Sequence, residues 1–383
     1  MTIPRGNARV ALLLLATLAT GCAHFARPTG DSSGAGRRSG PDSTNGVGDV
    51  DSDPRTTAER VPAPTVRGSE RSGPRFSTMG RPYADLQVHT HGTVGGDFDV
   101  DVSPDGKWIT YASTRHSEQP NIYLQRLERG GAIEKTRSNT RDIQPKFSPD
   151  GKWIAFASDR EGNFDIWIIP VTGSAAPWHL TQSSADEIHP TWSPDGQSIA
   201  YCAREAGGEW FLWRIDVRTQ KRTQIGPGLY PEWSPDGKSL AFQRPSERGA
   251  GWYGVWIVAI DGGAPEEMVT EENWGTIQPA WSPNSKSLVY GTARAPIDRP
   301  DAPPRADDLW VVSRDGRRYQ LTTAAGSDYA PAWGLDGRIY FTSHRGGSPR
   351  IVSLKPGSIQ PPLGPVPTSG STAKTFDGED MNR

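Results

Sequence analysis

The stretch Ser148-Pro149-Asp150-Gly151-Lys152-Trp153-Ile154-Ala155-Phe156 decides the fold, because the chain repeats it. It returns as Ser103-Pro104-Asp105-Gly106-Lys107-Trp108-Ile109, as Ser193-Pro194-Asp195-Gly196 and as Ser234-Pro235-Asp236-Gly237-Lys238. Looser copies are Ser282-Pro283-Asn284 and Gly334-Leu335-Asp336-Gly337-Arg338. Successive copies start 45, 45, 41, 48 and 52 residues apart. A tandem period of roughly 40–50 residues suits one four-stranded propeller blade per copy. The chemistry of the stretch agrees. Pro pre-sets φ at the second position of a type I turn, and Gly accepts the left-handed conformation that a bulged hairpin needs at its end.

Working outward, an apolar residue precedes each turn (Phe147, Trp192, Trp233, Trp281, Trp333), and period-2 alternation follows it (Ile154/Phe156, Ile199/Tyr201, Leu240/Phe242, Leu288/Tyr290). Each unit reads as an inner strand a, a strand b after the turn, a strand c carrying an aromatic (Tyr123, Trp167, Trp213, Trp256, Trp310) and an outer strand d. Strand d ends in a shared wording, as in Trp178-His179-Leu180-Thr181 and Tyr319-Gln320-Leu321-Thr322. The last copy supplies only strands a, b and c, while Leu86-Gln87-Val88-His89-Thr90 is an orphan strand d at the other end. The expectation is an all-β, six-bladed propeller over residues 83–355, closed by that N-terminal strand in the last blade.

The flanks have a different character. Arg5 and Arg9, the apolar run Val10 to Leu18, and Ala19-Thr20-Gly21-Cys22 read as an export signal over residues 1–21. Residues 22–82 are rich in Gly, Ser, Pro and charge, contain none of the 14 tryptophans, and read as a disordered tether; residues 356–383 read as a disordered tail. The match Gly30-Asp31-Ser32-Ser33-Gly34 to a hydrolase nucleophile turn falls in that tether, with no strand before it and no α/β domain after it. Of the two cysteines, Cys202 lies within a strand and reads as a small buried thiol, so no disulfide is expected.

The repeat wording x-Pro-x-Trp-Ser-Pro-Asp-Gly-Lys-x-Ile-Ala-Phe, followed by Ser158-Asp159-Arg160 and Asp165-Ile166-Trp167, resembles the WD40-like repeat of TolB-type propellers. The signal segment similarly resembles that of bacterial lipoproteins, which implies lipidation at Cys22, with Ala19 where that family prefers Leu. Together the resemblances imply a non-enzymatic interaction scaffold of the cell envelope, facing the periplasm and anchored by lipid, the outer membrane being favoured by Ala23 after the cysteine. TolB itself carries an α/β domain before its propeller, where this chain has only the tether. Because the same repeat occurs in sugar lyases and beside peptidase domains, the alternative is a metal-assisted carbohydrate lyase or hydrolase acting in the channel.

A propeller's function is read on the face bearing its d–a and b–c connections. There the sequence places Asp97, Asp99, Asp142, Glu187 and Asp328, with Gln144, His189, Tyr230 and Gln278 standing just before strand prolines. These residues, with Asp142, Gln144, Glu187, His189, Gln278 and Asp328 foremost, are the candidates for binding an envelope protein or peptide. Asp97, Asp142, Glu187 and Asp328 are also candidate ligands for Ca²⁺ in the channel; a solvated acidic rim with no ligand is the competing reading. Two long b–c connections, Arg244 to Gly254 and Ala293 to Asp308, add Trp252 and Tyr253 as apolar contacts, with Arg294, Asp298, Arg299 and Arg305 as a polar rim. The aspartates of the Ser-Pro-Asp-Gly turns, on the other face, read as turn formers. Scattered histidines, with only His189 beside Glu187 near the axis, give no catalytic set. A net charge of −2 without a basic stripe excludes nucleic acid, and nothing asks for more than a monomer.

Overall fold

The computed structural model describes residues 85–91, 94–128, 130–245, 253–270, 274–294, 305–323 and 326–356, without the side chains of 294 and 305–307. The signal, tether and tail expected from the sequence lie outside the described residues, as do Cys22, Trp252, Asp298 and Arg299.

Among the described residues, the strands form six four-stranded antiparallel sheets. Blade 2 shows the pattern: strand a Asp142–Phe147, strand b Trp153–Ser158, strand c Asp165–Pro170 and strand d Trp178–His179. The other inner strands are Asp97–Val102, Glu187–Trp192, Leu229–Trp233, Gly275–Trp281 and Asp328–Trp333, for blades 1, 3, 4, 5 and 6.

The Ser-Pro-Asp-Gly stretch forms the a–b turn. In blade 2 the Gly151 N–H donates to the Ser148 carbonyl, Ser148 Oγ donates to Asp150, and Asp150 accepts from the Lys152 N–H. Blades 1, 3 and 4 repeat these bonds, and Asn284 takes the Asp role in blade 5. The hydroxyl and backbone bonds hold Asp105, Asp195 and Asp236 below the usual carboxylate range; at Asp150 they do so against its desolvation. These aspartates form turns, as the sequence implied.

Period-2 alternation buries one aromatic of strand b in every blade: Tyr111, Phe156, Tyr201, Phe242, Tyr290 and Phe341. Strand c carries its aromatic under a guanidinium, with Arg160 4.5 Å from the Trp167 ring and Arg244 3.9 Å from Trp256.

The N-terminal strand Gln87–Val88 pairs antiparallel with Arg350–Leu354, which makes it strand d of blade 6. A side-chain bond marks the equivalence. Thr136, Thr181 and Thr322, ending strand d of blades 1, 2 and 5, each accept a strand c N–H, from Ile122, Ile166 and Leu309. Thr90 accepts from Ile351 in the same way at 3.0 Å. Arg338, in the lysine place of the worn last copy, donates to Ser353 and to the Asp85 carbonyl, which ties the two chain regions together.

The long b–c connections differ from expectation. Pairing continues through Pro245↔Tyr253 in blade 4 and Arg294↔Arg305 in blade 5, so part of each connection prolongs a hairpin. Tyr253 thereby opens a strand and is only 5 % exposed, which removes it as a surface contact.

Candidate functional site

A proline in a strand forfeits a ladder bond and is tolerated at a sheet edge or a bulge, and strand a is the inner edge of its sheet. Every inner strand does bulge: in blade 2, Ile143 faces Ala157 and Lys146 faces Ala155, so Gln144 and Pro145 together oppose one residue. The first bulge residue adopts left-handed backbone in all six blades, with φ of 56° at Asp99, 57° at Gln144, 56° at His189, 52° at Tyr230, 51° at Gln278 and 49° at Ala330. Such backbone costs a non-glycine residue about 1–2 kcal/mol. Glycine would relieve the strain but would place no side chain on the axis. These residues and the prolines after them line an axial cavity of about 70 Å³. That space holds a few waters, a side-chain tip or a chain end, not a folded segment.

Hydrogen bonds between blades hold the ring. The His189 N–H donates to Gln144 Oε1 at 2.9 Å, which joins blades 2 and 3. Gln278 N–H donates to Gln243 Oε1 at 3.0 Å and Ala330 N–H to Gln278 Oε1 at 2.9 Å. Gln278 thus joins blades 4, 5 and 6. The His189 ring lies against the Tyr230 ring, centroids 3.6 Å apart, with Nδ1 3.2 Å from Cys202 Sγ. Burial, with Lys146 nearby, keeps His189 neutral, and burial pushes the Cys202 thiol up, so neither is a ready nucleophile or acid.

Two residues further along the inner strands lies a charged floor. Lys146 Nζ reaches Glu232 at 2.9 Å and Asp101 at 3.6 Å, bridging blades 1, 2 and 4. Burial works against the lysine's charge, yet the two carboxylates outweigh it and raise the pKa. Asp99, half-buried above this floor, has its pKa raised to about 7 by desolvation.

The acidic candidates occupy another place. Asp97, Asp142, Glu187 and Asp328 open their inner strands, and their side chains are at most 2 % exposed. Each is paired with arginine: Asp97 with Arg115 at 2.8 Å, Asp142 with Arg160 at 3.0 Å, Glu187 with Arg222 at 2.7 Å and Asp328 with Arg345 at 2.8 Å. Ser113 and Ser158 also donate to Asp97 and Asp142, and Ser183 to Glu187. The carboxylates therefore tie each blade to itself rather than meeting on the axis, and Asp97 also reaches Arg350 of blade 6 at 3.9 Å. Glu187 and His189, adjacent candidates in sequence, have separate partners. Among the described residues, no three His, Cys, Asp or Glu side chains stand together to hold a metal ion.

Of the sequence candidates, the fold thus brings Gln144, His189 and Gln278 together, with Asp99 and Tyr230, around the cavity. The charged floor was not anticipated. Its signal was the charged residue one position past the strand proline, Lys146 and Glu232, and its counterpart Asp101, in strands that are otherwise core.

A closed set of four-stranded blades built from Ser-Pro-Asp-Gly repeats, with a polar axial cavity, defines a β-propeller of the WD40-like kind. The TolB beta propeller domain profile matches residues 99–292, just over half of the 383-residue chain, and the chain belongs to that family. Among solved structures it is similar to a protein assigned as TolB from Agrobacterium tumefaciens, at 24 % identity and a TM-score of 0.50, over 59 % of this chain and 80 % of that one. TolB from Acinetobacter baumannii is similar at 16 % identity and a TM-score of 0.51, over 68 % of this chain and 63 % of that one, so the likeness spans less than two thirds of that protein. Oligogalacturonate lyase from Vibrio parahaemolyticus has a TM-score of 0.50 at 14 % identity, over 70 % of this chain and 92 % of that one. These likenesses show the fold. No curated protein sequence matches the chain.

Proposed function

We propose that this chain is a binding propeller of the bacterial cell envelope, without enzymatic activity of its own, that takes a protein or peptide segment at the axial cavity on the face of the d–a connections. The observation that carries the proposal is the left-handed ring. Six strained positions are kept, and five of them carry a side chain larger than Ala, where glycine would fold at less cost. The hydrogen bonds between blades fix those side chains before any ligand arrives, which lowers the cost of binding. Membership of the TolB propeller family supports the envelope, and the sequence around Cys22 supports attachment there through lipid. The lyase alternative has the fold in common with this chain but no observation at the cavity that favours it.

The test is site-specific crosslinking in intact cells. A photo-reactive residue at Asn139 or Ser184, exposed on d–a connections, should capture a partner, and one at Lys152, exposed on the turn face, should not. Capture from Lys152 alone would place function on the opposite face.

A further inference from the structure

We propose that the axial cavity recognises a protonated primary amine, a lysine side chain or a chain N-terminus, held between the Asp99 carboxylate and Nε2 of His189. The proposal rests on the axial-binding reading and specifies its chemistry.

The ring leaves two polar atoms over. Asp99 Oδ2 and His189 Nε2 are both buried, both belong to residues lining the cavity, and neither has a hydrogen-bond partner. His189 is 6 % exposed. A buried polar atom without a partner is destabilising, so a ligand that satisfies both regains that cost.

Both atoms are acceptors. The unpartnered oxygen of Asp99 has no proton to give once the carboxyl is ionised. For His189 the proton is assigned from the bonds around Cys202. The thiol donates to the Ile188 carbonyl at 3.3 Å. Nδ1 then donates to the sulfur across 3.2 Å, which leaves Nε2 bare. The Tyr230 ring, lying against the imidazole at an interplanar angle of 38°, limits the directions in which Nε2 can point.

Two fixed acceptors call for a ligand with at least two donors, and the charges call for a cation. Lys146 is the cation of the floor, and its one charge is shared by Glu232 and Asp101. Above about pH 7, where Asp99 is ionised, the three carboxylates outnumber the one ammonium, so the cavity has an excess of negative charge and an anion would be repelled. The volume admits an ammonium on an alkyl stem, and the prolines Pro145, Pro190, Pro231, Pro279 and Pro331 offer that stem an apolar wall.

The experiment titrates butylammonium chloride into the full chain with ¹⁵N-labelled histidine, with butanol, sodium acetate and calcium chloride in parallel. The expected result is a bare Nε2 in the free protein and a saturable shift of its resonance with butylammonium only. Asp99→Asn should weaken that binding roughly ten- to a hundredfold, since it removes a charge-assisted bond. Equal binding of butanol would make the site merely apolar, binding of acetate would assign it to Lys146, and saturation by calcium would make it a metal site; each overturns the proposal. So does an Nε2 that carries a proton in the free protein. If Asp99→Asn does not fold, the comparison of butylammonium with butanol on the unaltered protein still decides. Crosslinking from Asn139 that persists without amine binding would refute the amine alone, whereas loss of both refutes the axial reading.

Discussion

The backbone N–H of His189 in blade 3 donates to Gln144 Oε1 in blade 2 at 2.9 Å. A side chain that lines the cavity is thus also the bond between two blades. Gln144→Ala should leave the His189 N–H buried without a partner and lower stability by about 1–3 kcal/mol. Urea denaturation checks this against Gln182→Ala, an exposed loop position where a change within about 0.5 kcal/mol is expected.

Ala330 tests the strain of the ring directly, because its φ is 49° and its side chain makes no polar bond. Ala330→Gly should be neutral or stabilising, since glycine adopts that backbone freely. Ala330→Val should cost about 1–2 kcal/mol or more, since a β-branched residue is a true outlier there. Paired thermal melts of the two variants give the sign.

The buried ion pairs should report stability rather than binding. Arg160 bonds to Asp142, whose side chain has no exposed surface, and covers the Trp167 ring at 4.5 Å. Arg160→Ala leaves an uncompensated buried carboxylate and should cost about 3–5 kcal/mol. A urea midpoint unchanged from that of the unaltered protein would show that the pair does not hold the blade.

Asp99 gives stability a pH dependence. Its folded pKa is about 7, raised by burial from the 3.8 of an ordinary aspartate. Below 3.8 both states hold the proton and the group has no effect. Between 3.8 and about 7 the folded state keeps a proton that the unfolded chain has released, so stability falls as pH rises, and above about 7 the loss is complete. Lys146, Tyr230 and Tyr329 are the titratable groups that act on it. Asp99→Asn lacks this titration. Its advantage over the unaltered protein should grow from nothing below pH 4 to a maximum above pH 7, as read from denaturation midpoints across that range.

Attachment at Cys22 is tested by fractionation. Cys22→Ala should move the protein from the membrane to the soluble periplasmic fraction, and equal retention in the membrane would remove the lipid anchor from the proposal.

The period of the Ser-Pro-Asp-Gly turns, the alternation after them and the orphan strand d were enough to derive six blades and the pairing of Gln87–Val88 with the last one. All three are local or repeat signals: turn chemistry acts within five residues, alternation within one strand, and a repeat is legible at any distance. The candidates before the strand prolines were legible for the same reason, since a proline in a strand marks a sheet edge or a bulge wherever the strand ends up. Left to tertiary structure was which charges meet. Asp97 and Asp142 looked like rim acids because an aspartate near a loop is usually solvated, but antiparallel pairing sets each opposite its own Ser-x-Arg and buries it. Lys146 and Glu232 lie 86 positions apart and meet only because the ring brings the inner strands of blades 2 and 4 to one axis. The sequence by itself determined the unit and its number, through interactions within a blade. Only the closed ring decided the site, because its cavity, its floor and its bonds between blades join residues from different repeats, and no single repeat contains that geometry.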